Sequence, residues 1–495
     1  MNSLSESCGI IGAVSLKGDD VLPHLYWGLL TLNHRGQQSY GFLTYSKRFH
    51  VFKELGLVAD LDSKRLSLWS KRLPGNLGIA HVRYATSGSF SKKQMLIDAQ
   101  PCIVGNDNGG IIALAYNGNI VNISPLRKEL KLKGAYFHTS SDAEILAYEI
   151  LYLTKLEDDL IEGIKQVMKN VDGAYSVVGI TRDGTLFAFR DSYGIRPLVY
   201  GFDEVRKLLI IASESVALDV NNVPYNAPLR PGELILVKDF KIDLYALVKK
   251  EREALCAFEY AYFARPDSRL KNGLYVYEVR RELGRMLARR YSDIASRIDV
   301  IVPIPQTALD AAYGFHEETS KPIEPIIIRH RYVRHRAFIM SPEERALILS
   351  KKYNILINKA QGKSIALIDD SIVRGDTLKR IVAILRKAGA KEIHIFSTFP
   401  KIISPCFYGI DMASFHELIG FNRDEDEIAQ ILGADSVNYQ TICDFCKAVG
   451  TRDLCLACVT GKYPTPYAQR LADKARNEII KGHAVYGRLT EVFEG

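Results

Sequence analysis

Ser364–Leu378 reads SIALIDDSIVRGDTL. Its apolar run, Ile365–Ile368, predicts a strand buried on both faces, as in parallel sheets. Two acids, Asp369 and Asp370, follow at once. A short turn spans Ser371 to Gly375, and Thr377 begins a helical pattern, TLKRIVAILRKAGA. Loop N–H groups and the positive end of a helix can hold a phosphate. Carboxylates at the carboxyl end of a strand lie where open α/β sheets bind ligands, and they can accept ribose hydroxyls. The stretch therefore predicts a site for a phosphorylated sugar. An ordinary strand-to-helix turn with a solvated acid pair is the plainer alternative.

The rest of the chain narrows the class. Its 495 residues suffice for two or three domains. A hydrophobic share of 47% and a charged share of 25% suit a globular protein. The net charge of +8 is modest, and Lys and Arg are mixed with acids, so nucleic-acid binding does not follow. No apolar run is long enough for a membrane helix. MNSLSES lacks the basic start and apolar core of a secretory signal. Eight cysteines in such a chain point to metal or catalysis rather than disulfides.

DDSIVRG resembles the phosphoribosylpyrophosphate (PRPP) loop of type I phosphoribosyltransferases, and in wording the amidophosphoribosyltransferases. The resemblance implies that Asp369 and Asp370 bind the ribose hydroxyls of Mg²⁺-bound PRPP, with one Mg²⁺ per subunit. It implies that Ser371, Arg374, Gly375 and Thr377 serve the phosphate. Asp376 stands where the family usually has Thr, and is expected to face solvent. Pro305–Ala308 (PQTA) replaces the family's PDSG pyrophosphate loop, leaving Thr307 as the candidate there. The basic run Arg329–Arg345 matches a lid, with Arg331 and Arg336 as its arginines.

Cys8 lies in SCGIIGAVS. A lone Cys in a strand is usually a small core residue. Residues 8 to about 237, however, resemble class II glutamine amidotransferases, the N-terminal-nucleophile hydrolases. The resemblance implies that Met1–Ser7 is a propeptide and that Cys8 is the nucleophile. A free α-amine, pKa roughly 8, can act as base for its own thiol. LNHRGQQSYG, IAHVRYATSG, AYNGNI and HTSSDAEIL follow in the family's order. They imply Arg83, Thr86 and Asp142 as glutamine-binding residues, and Asn117 and Gly118 as the oxyanion hole. Read alone, AYNGNI predicts a hairpin turn, and HTSSDAEIL a helix N-cap. FRDSYGIRPLVYG and ASESVAL read as scaffold without chemistry. Ala254–Leu270 reads as an aromatic interface strand, with Tyr260, Arg265 and Asp267 carried over from the family's domain contact. A helix is predicted from Val276.

Two cysteine patterns compete. Cys443, Cys446, Cys455 and Cys458 have the spacing of a small structural Zn²⁺ site. The resemblance instead implies one 4Fe–4S cluster per subunit on Cys256, Cys406, Cys455 and Cys458. Cys443 and Cys446 would then be unassigned, and Cys102 a core residue.

The expected architecture is a propeptide (1–7), an αββα N-terminal-nucleophile sandwich (8–245), a type I phosphoribosyltransferase α/β domain (246–465) and a helical tail (466–495). The expected enzyme is cytoplasmic, a homodimer or homotetramer, with glutamine and PRPP as substrates and purine nucleotides as feedback inhibitors. Two other readings stay open. One is a paralogue with glutaminase activity but impaired transfer. The other is a non-catalytic PRPP- or nucleotide-binding regulatory subunit.

Overall fold

The structure is a computed structural model that describes residues 8–60, 63–84, 91–106, 110–249, 252–329, 353–483, 485 and 487–494. Met1–Ser7, Thr86, Arg331 and Arg336 lie outside the described residues.

Period-two alternation builds the first half. In the strand Gly9–Ser15, Ile10 and Val14 enter one core while Ile11 and Ala13 enter another. Leu43, Ile79, Ala113, Ala115, Val178, Ile180 and Ala188 join the first of these cores, which lies between two sheets. One antiparallel sheet runs in the order Ala227–Pro228, Val199–Asp203, Leu208–Ala212, Gly9–Ser15, Leu77–Arg83, Ser39–Tyr45, Phe49–Leu55. The other runs Lys241–Ala246, Glu233–Lys238, Leu186–Arg190, Gly173–Thr181, Gly110–Ile120, Cys102–Asn106. The helix Leu22–Thr31 covers the outer face of the first. Ile123–Leu132, Asp142–Glu157 and Leu160–Asn170 cover the second. The result is the expected αββα sandwich.

The hairpin turn expected at Asn117–Gly118 does not form. Both residues lie inside the strand Gly110–Ile120, opposite Ser176 and Tyr175. The preference of Asn-Gly for a turn is local, and a long ladder with Gly173–Thr181 overrides it. Glycine is required here for a different reason: a Cβ on Gly118 would stand 1.9 Å from the Ala174 carbonyl oxygen.

The joint also departs from expectation. Only Leu255–Cys256 is strand, paired in parallel with Leu454–Cys455. Glu259–Phe263 is a π-helical turn, a form that marks functional sites more often than chance. Phe258, Tyr260 and Phe263 are buried as expected.

The second half carries a parallel sheet in the order Val300–Pro303, Ser364–Asp369, Glu392–Ser397, Ser436–Tyr439. Ile365 and Leu367 face one core, Ala366 and Ile368 the other, so the strand is buried on both sides. The helices Val276–Arg290 and Leu309–Thr319 pack so closely that a Cβ on Gly284 would stand 1.9 Å from the Ala311 oxygen. The tail helix Pro466–Ile480 buries Ala468, Leu471, Ala472 and Ala475 in the core at the joint. The Tyr467 N–H donates to Asp172 of the first sandwich at 2.9 Å.

Candidate active sites and a four-cysteine core

Alternation also places the first site. Ile10 and Val14 face the inter-sheet core, so Cys8, two residues before Ile10, stands at the same face's end. Ile79 makes Arg83 inward-facing, and Ala113 and Ala115 do the same for Asn117. The Cys8 thiol lies 3.7 Å from the Tyr84 carbonyl. Burial raises its pKa, the Tyr84 contact and Arg83 oppose that, Asp142 adds to it, and Arg35 opposes it. Asn117 is fully buried, and neither its amide nitrogen nor its amide oxygen has a hydrogen-bond partner among the described residues. Leaving such a group without a partner costs about 1–3 kcal/mol. Arg83 sits 3.6 Å from Asp98, which also accepts from the Ser140 N–H and hydroxyl. Asp142 is the first residue of its helix, and Ser141 is the N-cap, accepting from the Ala143 N–H at 3.3 Å. Burial raises the Asp142 pKa, while the Tyr116 hydroxyl, donating at 2.8 Å, and the Ile120 N–H lower it.

Beneath Cys8 lies an ion network that the sequence reading missed. The Arg35 Nε donates to the Cys8 carbonyl at 3.2 Å. Its Nη1 reaches Glu214 at 2.5 Å and Glu259 at 2.9 Å, and its Nη2 reaches Glu259 at 2.7 Å. Arg196 Nη1 donates to Glu259 at 3.2 Å, and Arg196 Nε to the Tyr408 carbonyl at 2.8 Å. All four side chains are fully buried. Arg35 lies in LNHRGQQSYG, to which no role was assigned, and Arg196 and Glu214 lie in motifs read as scaffold. No local signal says that these charges will meet.

At the second site the loop forms as read. The helix starts at Asp376, and Gly375 caps it with φ +81°. A Cβ there would also meet Ile419 at 2.7 Å. Asp369, Asp370, Ser371, Gly375 and Thr377 line one cleft with Pro305, Thr307 and Tyr262. Thr307 and Ser371 both donate to Asp370. Burial raises the pKa of both acids, and for Asp369 the Asp370 carboxylate raises it further. Asp376 is exposed, as expected, but it too lines the cleft. Arg374 also lines the cleft, but its guanidinium is held by Glu417, with the Asp411 carboxylate 3.6 Å away. The replaced PDSG loop does not demand glycine: Ala308 has φ −81° and caps the helix Leu309–Thr319. Arg265 and Asp267 pair with each other, and the Tyr260 hydroxyl donates to the Lys271 carbonyl. Arg280 holds the π-helical turn through the carbonyls of Tyr260 and Ala264, both at 2.8 Å.

Cys256 pairs in register with Cys455. The Ile403 and Ser404 N–H groups both donate to the Cys458 carbonyl, which draws the Cys406 segment onto Cys458. Burial raises all four thiols, Cys256 to about 12, and for Cys458 the other three thiols raise it further. Burial raises Cys446 too, but its charged neighbours are Arg452, Cys443 and Arg252 rather than those four. The fold therefore groups Cys256, Cys406, Cys455 and Cys458, and leaves Cys443 exposed. Among the described residues no three His, Cys, Asp or Glu side chains stand close enough for a single metal ion. Cys102 is a core residue.

Comparison with known proteins follows the same lines. Residues 89–220 match the glutamine amidotransferase domain family. The chain is 41% identical to the amidophosphoribosyltransferase of Methanocaldococcus jannaschii, over 92% of this chain and 98% of that one. This chain belongs to the amidophosphoribosyltransferase family. The Bacillus subtilis amidophosphoribosyltransferase is 35% identical over 95% of this chain and 96% of its own. A solved structure of the B. subtilis glutamine PRPP amidotransferase, complexed with ADP and GMP, superposes with a TM-score of 0.82 at 34% identity, covering 93% of this chain and 98% of that one. Amidophosphoribosyltransferases are pentosyl-transferring enzymes, so the sandwich and the parallel sheet are the two halves of one catalyst.

Proposed function

We propose that Cys8 and the Asp369–Thr377 loop divide one reaction between them. Removal of Met1–Ser7 frees the Cys8 amine, which takes the thiol proton as sulfur attacks the glutamine side-chain amide. The Asn117 amide and the Gly118 N–H receive the oxygen of the tetrahedral intermediate. Arg83 suits the substrate α-carboxylate and Asp142 its α-ammonium, and Thr86 is assigned to glutamine by resemblance. Collapse of the intermediate returns the proton to the departing ammonia, and water then cleaves the glutamyl thioester. Ammonia displaces pyrophosphate from C1 of PRPP, giving 5-phosphoribosylamine. Asp369 and Asp370 accept the ribose hydroxyls, while Ser371, Gly375 and Thr377 hold the phosphate. Thr307 orients Asp370, Arg374 braces the loop against Glu417, and Arg331 and Arg336 are assigned to PRPP by resemblance. Mg²⁺ arriving with PRPP would supply charge neutralisation at the pyrophosphate.

The four grouped thiols support a 4Fe–4S cluster. A single tetrahedral Zn²⁺ wants its sulfurs about 4 Å apart, given Zn–S bonds of about 2.3 Å. Burial and mutual repulsion disfavour four free thiolates, and a cationic cluster core offsets both. Purine nucleotides as inhibitors, a homodimer or homotetramer, and a cytoplasmic place complete the reading.

The observation that carries the proposal is the buried, unpartnered Asn117 amide on the face that Cys8 and Arg83 share. Purified without oxygen and given magnesium, the enzyme should form 5-phosphoribosylamine from glutamine and PRPP. An electrophilic glutamine analogue should label Cys8 as the first residue of the mature chain. Failure to couple the two substrates ends the proposal. A retained Met1–Ser7 on active enzyme ends its first half.

A further inference from the structure

The geometry points to Glu259 as a positioning residue for the glutamine half-reaction, supplied from outside the sandwich that carries Cys8. The inference rests on Cys8 being the nucleophile. The last strand of the sandwich is Lys241–Ala246, and Glu259 comes later, on the π-helical turn at the joint. Its carboxylate takes two bonds from Arg35 and one from Arg196. Arg35 in turn holds the Cys8 carbonyl. The amine, the thiol and that carbonyl all radiate from the same residue, so the carbonyl contact fixes where base and nucleophile point.

Charge balance explains why Glu259 is needed. Two fully buried guanidiniums, Arg35 and Arg196, face two fully buried carboxylates, Glu214 and Glu259. Glu214 is also committed to His34, the Arg265 N–H and the Ser268 hydroxyl. Without Glu259, two cations would share one carboxylate in a site that excludes water. A buried charge without its partner is strongly disfavoured, so Arg35 would leave or shift and the Cys8 carbonyl would lose its anchor.

The test replaces Glu259 by Gln, which keeps shape and removes charge. Glutamine-dependent kcat is expected to fall on the order of 100-fold, the loss that roughly 1 Å of misplacement brings. The KM for glutamine should hold, because Arg83 and Asp142 are untouched. Formation of 5-phosphoribosylamine from ammonium salt should also hold. The uncompensated guanidinium charge disfavours the protonated Cys8 amine, so the acid limb of the glutamine-dependent pH profile should move to lower pH. Glu259→Asp keeps the charge and should leave that limb in place while lowering kcat. Equal loss of the glutamine and ammonium activities would reduce Glu259 to a fold residue and overturn the inference. So would a wild-type rate and pH limb in Glu259→Gln. Should Glu259→Gln not fold, Glu259→Asp carries the decision by whether the two activities separate. A wild-type enzyme inactive with both nitrogen donors would instead count against the proposed function.

Discussion

Asn117 gives the sharpest expectation at the scale of one side chain. Removing one donor to a tetrahedral oxygen typically costs about 10²–10³ in rate. Asn117→Ala should lower glutamine-dependent kcat by that factor and leave ammonium-dependent transfer unchanged. A parallel fall in both activities, read by coupled assay, would remove the residue from the amide chemistry. Asp369 and Asp370 give a second expectation, with a definite sign. Burial, and for Asp369 its neighbour's charge, raise their pKa above the 3.8 of a free Asp. In the ligand-free protein the pair therefore keeps a proton to higher pH than the unfolded chain does. Its contribution to stability is present below the unfolded value and fades as pH rises through the raised one. If the pair accepts the ribose hydroxyls of magnesium-bound PRPP, the ligand should select the doubly ionised form, and binding should release a proton and tighten as pH rises through that window. Calorimetry in buffers of different ionisation enthalpy reads the release directly, and a buffer-independent heat would refute it.

Paired elements show which parts of the fold a sequence can announce. Helices Val276–Arg290 and Leu309–Thr319 touch through Gly284 and Gly314, where an added Cβ would meet the carbonyl oxygens of Ala311 and Arg281 at 1.9 and 1.8 Å. Gly314→Ala should therefore lower stability by about 1–3 kcal/mol, the usual effect of overpacking, seen as a lower Tm. An unchanged Tm would mean that the pair can part freely. The strand, acid pair, loop and helix of Ser364–Lys387 were legible because each step is set by neighbours within a few residues. Ser141 as N-cap was legible for the same reason. Asn117–Gly118 misled because the dipeptide signals a turn, whereas its ladder partners lie beyond residue 173. The π-helical turn and its Glu259 were illegible. Arg35 and Glu259 are 224 positions apart, and no local pattern says that two such charges will meet in a dry core. The four-thiol group fell between. Its members could be named only through resemblance, since Cys443–Cys446–Cys455–Cys458 has the more regular spacing.

Over the whole molecule, the cysteine-lined core is where chain segments converge. It packs Leu255–Cys256, Phe407–Tyr408, Leu454–Cys458 and the tail helix into one apolar cluster. If a cluster holds the four thiolates, its loss should loosen this core along with the thiols. Iron and sulfide removal under anaerobic chelation should lower Tm and uncover the joint to protease, while zinc restores neither the colour nor the stability. Retention of wild-type Tm after metal loss would show that apolar packing alone suffices.

The bond from Arg196 to the Tyr408 carbonyl joins positions 212 residues apart. A ribosome making this protein exposes Cys8 early and Tyr408 long afterwards. Until then Arg196 lacks the Tyr408 carbonyl, Cys455 has not been made to pair with Cys256, and the floor under Cys8 is unfinished. If Cys8 is the nucleophile, a growing chain should release no ammonia before its sugar site exists.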